Sequence, residues 1–300
     1  MYCLYRDFPF QAVGDTLAHD INWLWVAAGM VAAAMAQLAR AVRWSLLLGP
    51  LGARCGLRNL SAAVFTSFAL SLVIPRIGEI SRCATLRKTD GVTFSGSIGT
   101  VVAERIADTL ALLALFVVIF CTQGDKVRSF LPSSVSETAG GNVTTIAAVA
   151  ALAAAVAALC IWKFRKNEAL RSTLSKFKAG LLSVAHCRHP WLFVLHTVLI
   201  SFFNLLNLWL MLFAFPLSSG LGAGAPLLAF SIITFAMVIP TPNGAGPWHY
   251  VVMTSLVLYG VDKTDASAFA LIVHALNTLT IILLGLAGML MLRRRSAVHS

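Results

Sequence analysis

Apolar residues run continuously along this chain instead of alternating with polar ones, and the runs come in two lengths. Residues 21–39, 96–121, 143–162, 190–215 and 265–292 each reach the ~20 residues that a helix needs to cross a bilayer. Residues 60–75, 226–239 and 248–260 are shorter. Membrane strands alternate apolar with polar positions, so continuous runs rich in Ala and Leu predict helices. The pattern predicts an all-α polytopic bundle forming one transmembrane domain over residues 1–300.

Polar positions between the runs set the orientation. The loop 163–189 is strongly basic and Arg293, Arg294 and Arg295 follow the last run; both belong on the cytoplasmic side by the positive-inside rule. Asp7, Asp15 and Asp20 place the opening stretch outside, while Arg82, Arg87 and Lys88 place 82–90 inside. Both flanks of 60–75 are then cytoplasmic, which predicts a re-entrant hairpin instead of a span. The same count makes 226–260 a hairpin dipping in from outside. About six full spans and two such hairpins are expected.

The hairpins match each other. "FALSLVIPRIGE" (68–79) and "FAMVIPTPNG" (235–244) both set VIP ahead of a glycine turn. Trp44 precedes Pro75 by 31 residues, and Trp209 precedes Pro240 by 31. Further on, "ERIADTL" (104–110) lines up with "VHALNTL" (273–279), setting Arg105 against His274 and Asp108 against Asn277. Two halves running oppositely, about 21–122 and 190–292, joined by 143–189, predict an inverted repeat with broken helices near the midplane.

Composition sharpens the reading in one respect. With 58% hydrophobic and 12% charged residues and a mean hydropathy of +0.82, the chain lacks the polar surface of a soluble domain. The formal charge of +11 sits mostly in loops, so it speaks for topology and anionic headgroups, not for nucleic acid. Six scattered cysteines with no CxxC are read as small apolar fillers. "HCRH" (186–189) lies in a basic loop with no second ligand cluster, so no metal is expected. The opening "MYCLYRDF" has no apolar core or cleavage site of a leader. No P-loop, GxSxG, HExxH or dinucleotide fingerprint is present, and no cofactor is expected.

Several polar residues lie where apolar solvent should exclude them. Pro75, Pro240 and Pro242 break helices; Gly78, Gly244 and Gly246 permit positive φ. The amides and carbonyls so released need protein or a wet cavity. A charge at the bilayer centre costs about 2.5–3.5 kcal/mol on insertion scales. Arg76, Glu79, Glu104, Arg105 and Asp108 therefore either line a headgroup cavity or knot the first hairpin to the 96–121 helix, and the two readings are compatible. Asn243, His249, His274 and Asn277 are the polar residues of the second half. A histidine there makes an interhelical hydrogen bond or joins the same cavity; proton coupling through His274 or Glu79 is a further option. Arg40 and Arg43 are expected to snorkel to cytoplasmic headgroups, and Arg82 to sit near lipid phosphates.

These stretches carry a resemblance. "RAVRW" (40–44), "PRIGEISR" (75–82), "GTVVAERIADTLALL" (99–113), "PTPNGAGPWH" (240–249) and "LYGV" (258–261) resemble, in order, the lysylphosphatidylglycerol synthase transmembrane-region family, or flippase-like domain proteins. "NGAG" stands where many members read a glycine pair, so Asn243 departs from the pattern. "HYVVMTSLVLYGV" and "AFALIVHALNTL" are most similar to its Bacteroidetes-type branch. The resemblance implies a bacterial inner-membrane protein, with its C-terminus cytoplasmic, related to regions that move aminoacylated phospholipids between leaflets. The aminoacyl-transferase domain of fused members has no counterpart here, so aminoacylation is not expected. "YRDFPFQAVGDTLAHDINW" (5–23) resembles an external loop that follows one more helix in the family, a helix this chain would lack.

Three functions follow as expectations. The first is a flippase for an aminoacyl-phospholipid, glycolipid or polyprenyl-linked lipid, with no nucleic acid partner and with a lipid-modifying enzyme as a possible partner. The second is a membrane subunit or enzyme of glycolipid or envelope-lipid synthesis. The third is a non-catalytic scaffold for anionic lipid.

Overall fold

The computed structural model describes residues 21–53, 55–130, 168–216, 221–236 and 241–296. The run expected at 143–162, residues 163–167 of the loop after it, and Pro240 lie outside the described residues. Helix α1 spans Trp23–Leu48, α2 Leu57–Val73, α3 Ile77–Asp90, α4 Phe94–Phe130, α5 Glu168–Leu181, α6 Pro190–Phe213, α7 Gly224–Ala236, α8 Pro247–Leu258 and α9 Lys263–Ser296. There is no strand among the described residues. Among the described residues three stretches, Trp23–Leu51, Pro190–Phe213 and Lys263–Arg293, are long and apolar enough to cross a membrane. The all-α membrane fold expected from the apolar runs is the fold observed.

Helix α1 corrects one boundary. Its start is capped by Asn22, whose side-chain oxygen accepts the Leu24 amide at 3.1 Å. Its end is Leu48, nine residues past Ala39, where the apolar run stops. Arg40 and Arg43 break the run but not the helix, because the fold supplies partners for their polar groups.

Helices α1 and α6 run antiparallel. The Asn22 amide donates to the Ala214 carbonyl at 3.0 Å, the Asn207 side chain donates to the Gly29 carbonyl at 2.8 Å, and Arg43 reaches Thr197. The α1–α6 seam thus joins the start of one helix to the end of the other.

Helices α2 and α3 form a tight hairpin. Ile74 is extended, Arg76 takes a left-handed φ of 63°, and α3 starts at Ile77. Gly78 permits the close return: a Cβ there would collide with the Ser67 carbonyl and the Ser71 hydroxyl, and its amide donates to Ser71 Oγ at 3.2 Å. At the open end Asn59 donates to Asp90 at 2.9 Å. With 17 residues, α2 is about 25 Å long, short of the ~30 Å hydrocarbon core. Helices α7 and α8 make the second hairpin, with Tyr259 folding back on Gly224.

The hairpins pack across the molecule. Hairpin helix α2 lies on α9, where Gly285 and Gly288 let Ala69, Ala62 and Phe65 approach closely, as small residues do between membrane helices. Reciprocally, α7 lies on α4, with Ile119 and Leu228 buried together. One core surrounds Trp44, Leu60, Val64, Phe65 and Leu86; another surrounds Val26, Met211, Phe215, Val252 and Phe269. Helices α1, α2 and α4 begin at 23, 57 and 94, and α6, α7 and α9 at 190, 224 and 263, so the counterparts are separated by 167, 167 and 169 residues.

Candidate functional site

Two cavities adjoin between these cores. The larger, about 390 Å³, is lined on the α1 and α4 side by Gln37, Arg40, Arg105 and Asp108, and on the far side by Trp248, His274 and Asn277. The smaller, about 290 Å³, is lined by Ser71, Arg76, Gly78, Glu79, Thr241 and Gly244, among others. Arg40, Phe68, Arg105 and Asn243 line both, so these four side chains form the shared wall. The turn after Pro75 and the turn beginning at Thr241 thus face one space.

Each turn holds a non-glycine residue at positive φ: Arg76 at 63° and Asn243 at 50°. Such residues are uncommon, and Asn tolerates the conformation best. Asn243 is fixed twice, its amide donating to Thr278 Oγ1 at 2.7 Å and its carbonyl accepting from His274 Nε2 at 3.1 Å. That carbonyl can only accept, so the His274 proton sits on Nε2. The Gly246 amide points at His249 Nδ1 at 3.4 Å, which puts the His249 proton on its Nε2. The two imidazole centroids lie 4.4 Å apart, and Trp248 stands 5.3 Å from His274.

From the α4 wall inward runs an ion-pair network. Arg43 is fully buried and donates to Asp108 at 2.5 Å, Thr197 at 3.1 Å and Glu104 at 3.5 Å. Arg82, 3% exposed, donates to Glu104 at 2.6 Å and lies 4.6 Å over the Trp44 ring. Trp44 in turn donates to Thr100 at 2.9 Å. Nearer the cavity Arg105 pairs with Glu79 at 3.4 Å and Asp108 at 3.5 Å.

These placements correct the expectation for Arg43 and Arg82. Neither lies at an exposed interface: Arg43 is sealed in and Arg82 is almost fully buried at the edge of the smaller cavity, because Glu104 and Asp108 lie one turn apart on α4 and offer carboxylates to guanidinium groups arriving from α1 and α3. Arg40 likewise turns inward, its guanidinium 5.2 Å over Phe68. Of the other residues singled out by sequence, Arg76, Gly78, Glu79, Arg105, Asp108, Asn243, Gly244, His274 and Asn277 line a cavity. Glu104 and His249 stand behind the walls as supports, and Gly246 shapes the second turn at φ 99°.

Sequence reasoning missed Gln37, Phe68, Ser71, Thr197 and Thr241. Gln37 had a signal: it precedes Arg40 by three positions on an otherwise apolar helix, so the two share a face. Thr197 had none, since it meets Arg43 only through the α1–α6 seam. In the 186–189 loop, His186 contacts the Leu182 carbonyl and Cys187 the Leu46 carbonyl. Among the described residues no three His, Cys, Asp or Glu side chains cluster as metal ligands would.

Comparison with known proteins places the chain. The family profile described as the lysylphosphatidylglycerol synthase TM region matches residues 1–285, and the chain belongs to that family. It is similar to UPF0104 membrane protein MJ1078 of Methanocaldococcus jannaschii, 26% identical over 229 residues, 73% of this chain and 91% of that protein. UPF0104 membrane protein MJ1595 of the same organism is 22% identical over 271 residues, 84% of this chain and 80% of that one. No solved structure matches the chain. It is a multi-pass membrane protein of a lipid-related family.

Proposed function

We propose that this protein carries the polar headgroup of a membrane lipid from one leaflet to the other. One observation bears most of the weight: both turns, the one after Pro75 and the one beginning at Thr241, line the smaller of two adjoining cavities, and the wall shared with the larger carries two arginines, Arg40 and Arg105. In this reading α2–α3 and α7–α8 are re-entrant hairpins of an inverted repeat, entering from opposite leaflets with the C-terminal end of α9 cytoplasmic. The matching helix starts and the antiparallel α1–α6 seam favour such a repeat.

The physics of the barrier suits that arrangement. Burying a polar group without a partner costs several kcal/mol, on the order of 2–7 for an amide or hydroxyl, and much more for an ion. A furrow of Glu79, Arg105, Asp108, His274 and Asn277 offers hydrogen bonds along the path while acyl chains stay in lipid. Passage between the cavities then requires the shared wall to part, and the Glu79–Arg105 pair is its charged latch.

The test is movement of fluorescent phospholipid in proteoliposomes, read by an impermeant quencher. The wild type should expose labelled lipid of the inner leaflet to the quencher faster than protein-free vesicles, and Glu79→Gln should slow that movement at least tenfold. A wild type no faster than protein-free vesicles would end the proposal.

A further inference from the structure

We infer that Arg40 is the anion-binding residue of the shared wall, and that it takes the phosphate oxyanion of a lipid headgroup. The inference rests on the translocation reading only for the source of that phosphate.

Charge matching isolates Arg40. Glu104 is engaged by Arg43 and Arg82, Asp108 by Arg43 and Arg105, and Glu79 by Arg105. Arg40 makes no salt bridge or hydrogen bond to any described residue, and its Nε is buried without a partner. A guanidinium cannot shed its proton to relieve that situation; Asp108 and Glu104 act on it only through their field, without direct pairing, and a charge within a membrane helix whose N–H groups lack acceptors is costly. A charge retained there needs a counter-ion that comes and goes.

The surroundings say which anion fits. Phe68 covers one face of the guanidinium, which leaves its edge for ligand. That edge presents paired N–H groups, a fork that matches a phosphate bidentately. Arg105, on the same wall, adds positive field while its own hydrogen bonds go to Glu79 and Asp108. Gln37 Oε1 and Asn277 Oδ1 are also buried without partners, and both residues line the larger cavity. Amide oxygens accept, so the group they meet donates: a hydroxyl or ammonium on the same headgroup. Thr241 Oγ1, buried and without a partner, lies beside the smaller cavity. The ligand is therefore a phosphate followed by a hydrogen-bond donor. Because Arg40 faces both cavities, it can hold the phosphate while the rest of the headgroup passes the wall.

The experiment is native mass spectrometry of the full chain in detergent with dioleoylphosphatidylglycerol or with monoglucosyldiacylglycerol, which has hydroxyls but no phosphate. The wild type should retain the phospholipid at least roughly tenfold better, as expected for a charge-assisted bidentate contact. Arg40→Gln should abolish that preference while still retaining the glucolipid, which also shows that the variant is folded. Arg40→Lys should keep part of it. Gln37→Leu and Asn277→Leu should weaken retention of both lipids and leave the preference intact. Equal retention of the two lipids by the wild type, or an unchanged preference in Arg40→Gln, overturns the assignment. Release of bound phosphatidylglycerol by millimolar inorganic phosphate would reassign the site to free phosphate and overturn its lipid part. Vesicle assays separate the two proposals. Loss of preference in Arg40→Gln with no lipid movement by the wild type removes translocation and leaves the site. Wild-type movement of phosphatidylglycerol by Arg40→Gln removes the site and leaves translocation.

Discussion

Glu104 closes the buried network, and its removal should be the most damaging change of a single charge. The residue is fully buried, with one oxygen 2.6 Å from Arg82 and the other 3.5 Å from Arg43. In Glu104→Ala, Arg43 keeps Asp108 and Thr197, whereas Arg82 keeps its position over Trp44 but loses its carboxylate. Removing one member of a buried pair costs about 3–5 kcal/mol, since the other charge stays behind uncompensated. With Arg43 still paired, the loss should fall near the lower end, about 3 kcal/mol, or roughly a hundredfold in the folded-to-unfolded ratio. Arg105→Gln is the contrast: that side chain is 44% exposed, with its partners at 3.4 and 3.5 Å, and such pairs contribute at most about 1 kcal/mol. Unfolding in mixed micelles, followed by tryptophan fluorescence, ranks the two. Adding Arg82→Met to Glu104→Leu removes the stranded charge and should recover at least about half the loss, a coupling that a double-mutant cycle reads directly. If Glu104→Ala is no less stable than Arg105→Gln, the network does not hold the first hairpin to α4.

The two turns and one thiol supply further tests. Asn243→Gly should keep the second turn, whereas Asn243→Val forces a β-branched residue to φ 50° and should cost about 1–2 kcal/mol beyond the lost Thr278 bond, measured by the same unfolding. Gly78→Ala should cost about 1–3 kcal/mol by overpacking α3 against α2 and should slow lipid movement more than Gly124→Ala, where an added Cβ meets open space. Burial, with Asp90 adding to it, pushes the Cys55 thiol up to about 11. The thiolate is the reactive form, so maleimide labelling of a variant retaining only Cys55 should rise about tenfold per pH unit from pH 7 to 10; a rate already level at pH 9 would contradict the burial.

The apolar runs revealed the helices because each run is a lipid-facing or core-facing surface, and lipid accepts no alternative. VIP before a glycine turn likewise marked the first break, since proline and glycine act on the local backbone, and the glycines after Asn243 fall in the second turn. What stayed hidden was direction. On α1, Arg40 and Arg43 are three residues apart and read alike as interfacial, yet one faces the cavities and the other is sealed behind α4. Their fates depend on Glu104, Asp108 and Thr197, which lie 61 to 154 positions away, and no local pattern encodes those meetings. Glu104 was legible as one residue of a possible knot; its function as a support behind the cavity wall follows only from the packing of α3 on α4. Arg105, Asp108, His274 and Asn277 were singled out from sequence, and all four line the larger cavity.

The docking of α2 on α9 has a consequence for biogenesis. Ala69 leaves the ribosome 216 residues before Gly285, against which it packs. At about 5–20 residues per second of synthesis, the nascent hairpin waits roughly 10–40 s with that face against lipid or the insertion machinery. An insertase or membrane chaperone that shelters α2 during this interval would govern the yield of correctly assembled protein, and slow translation before α9 would lengthen the risk.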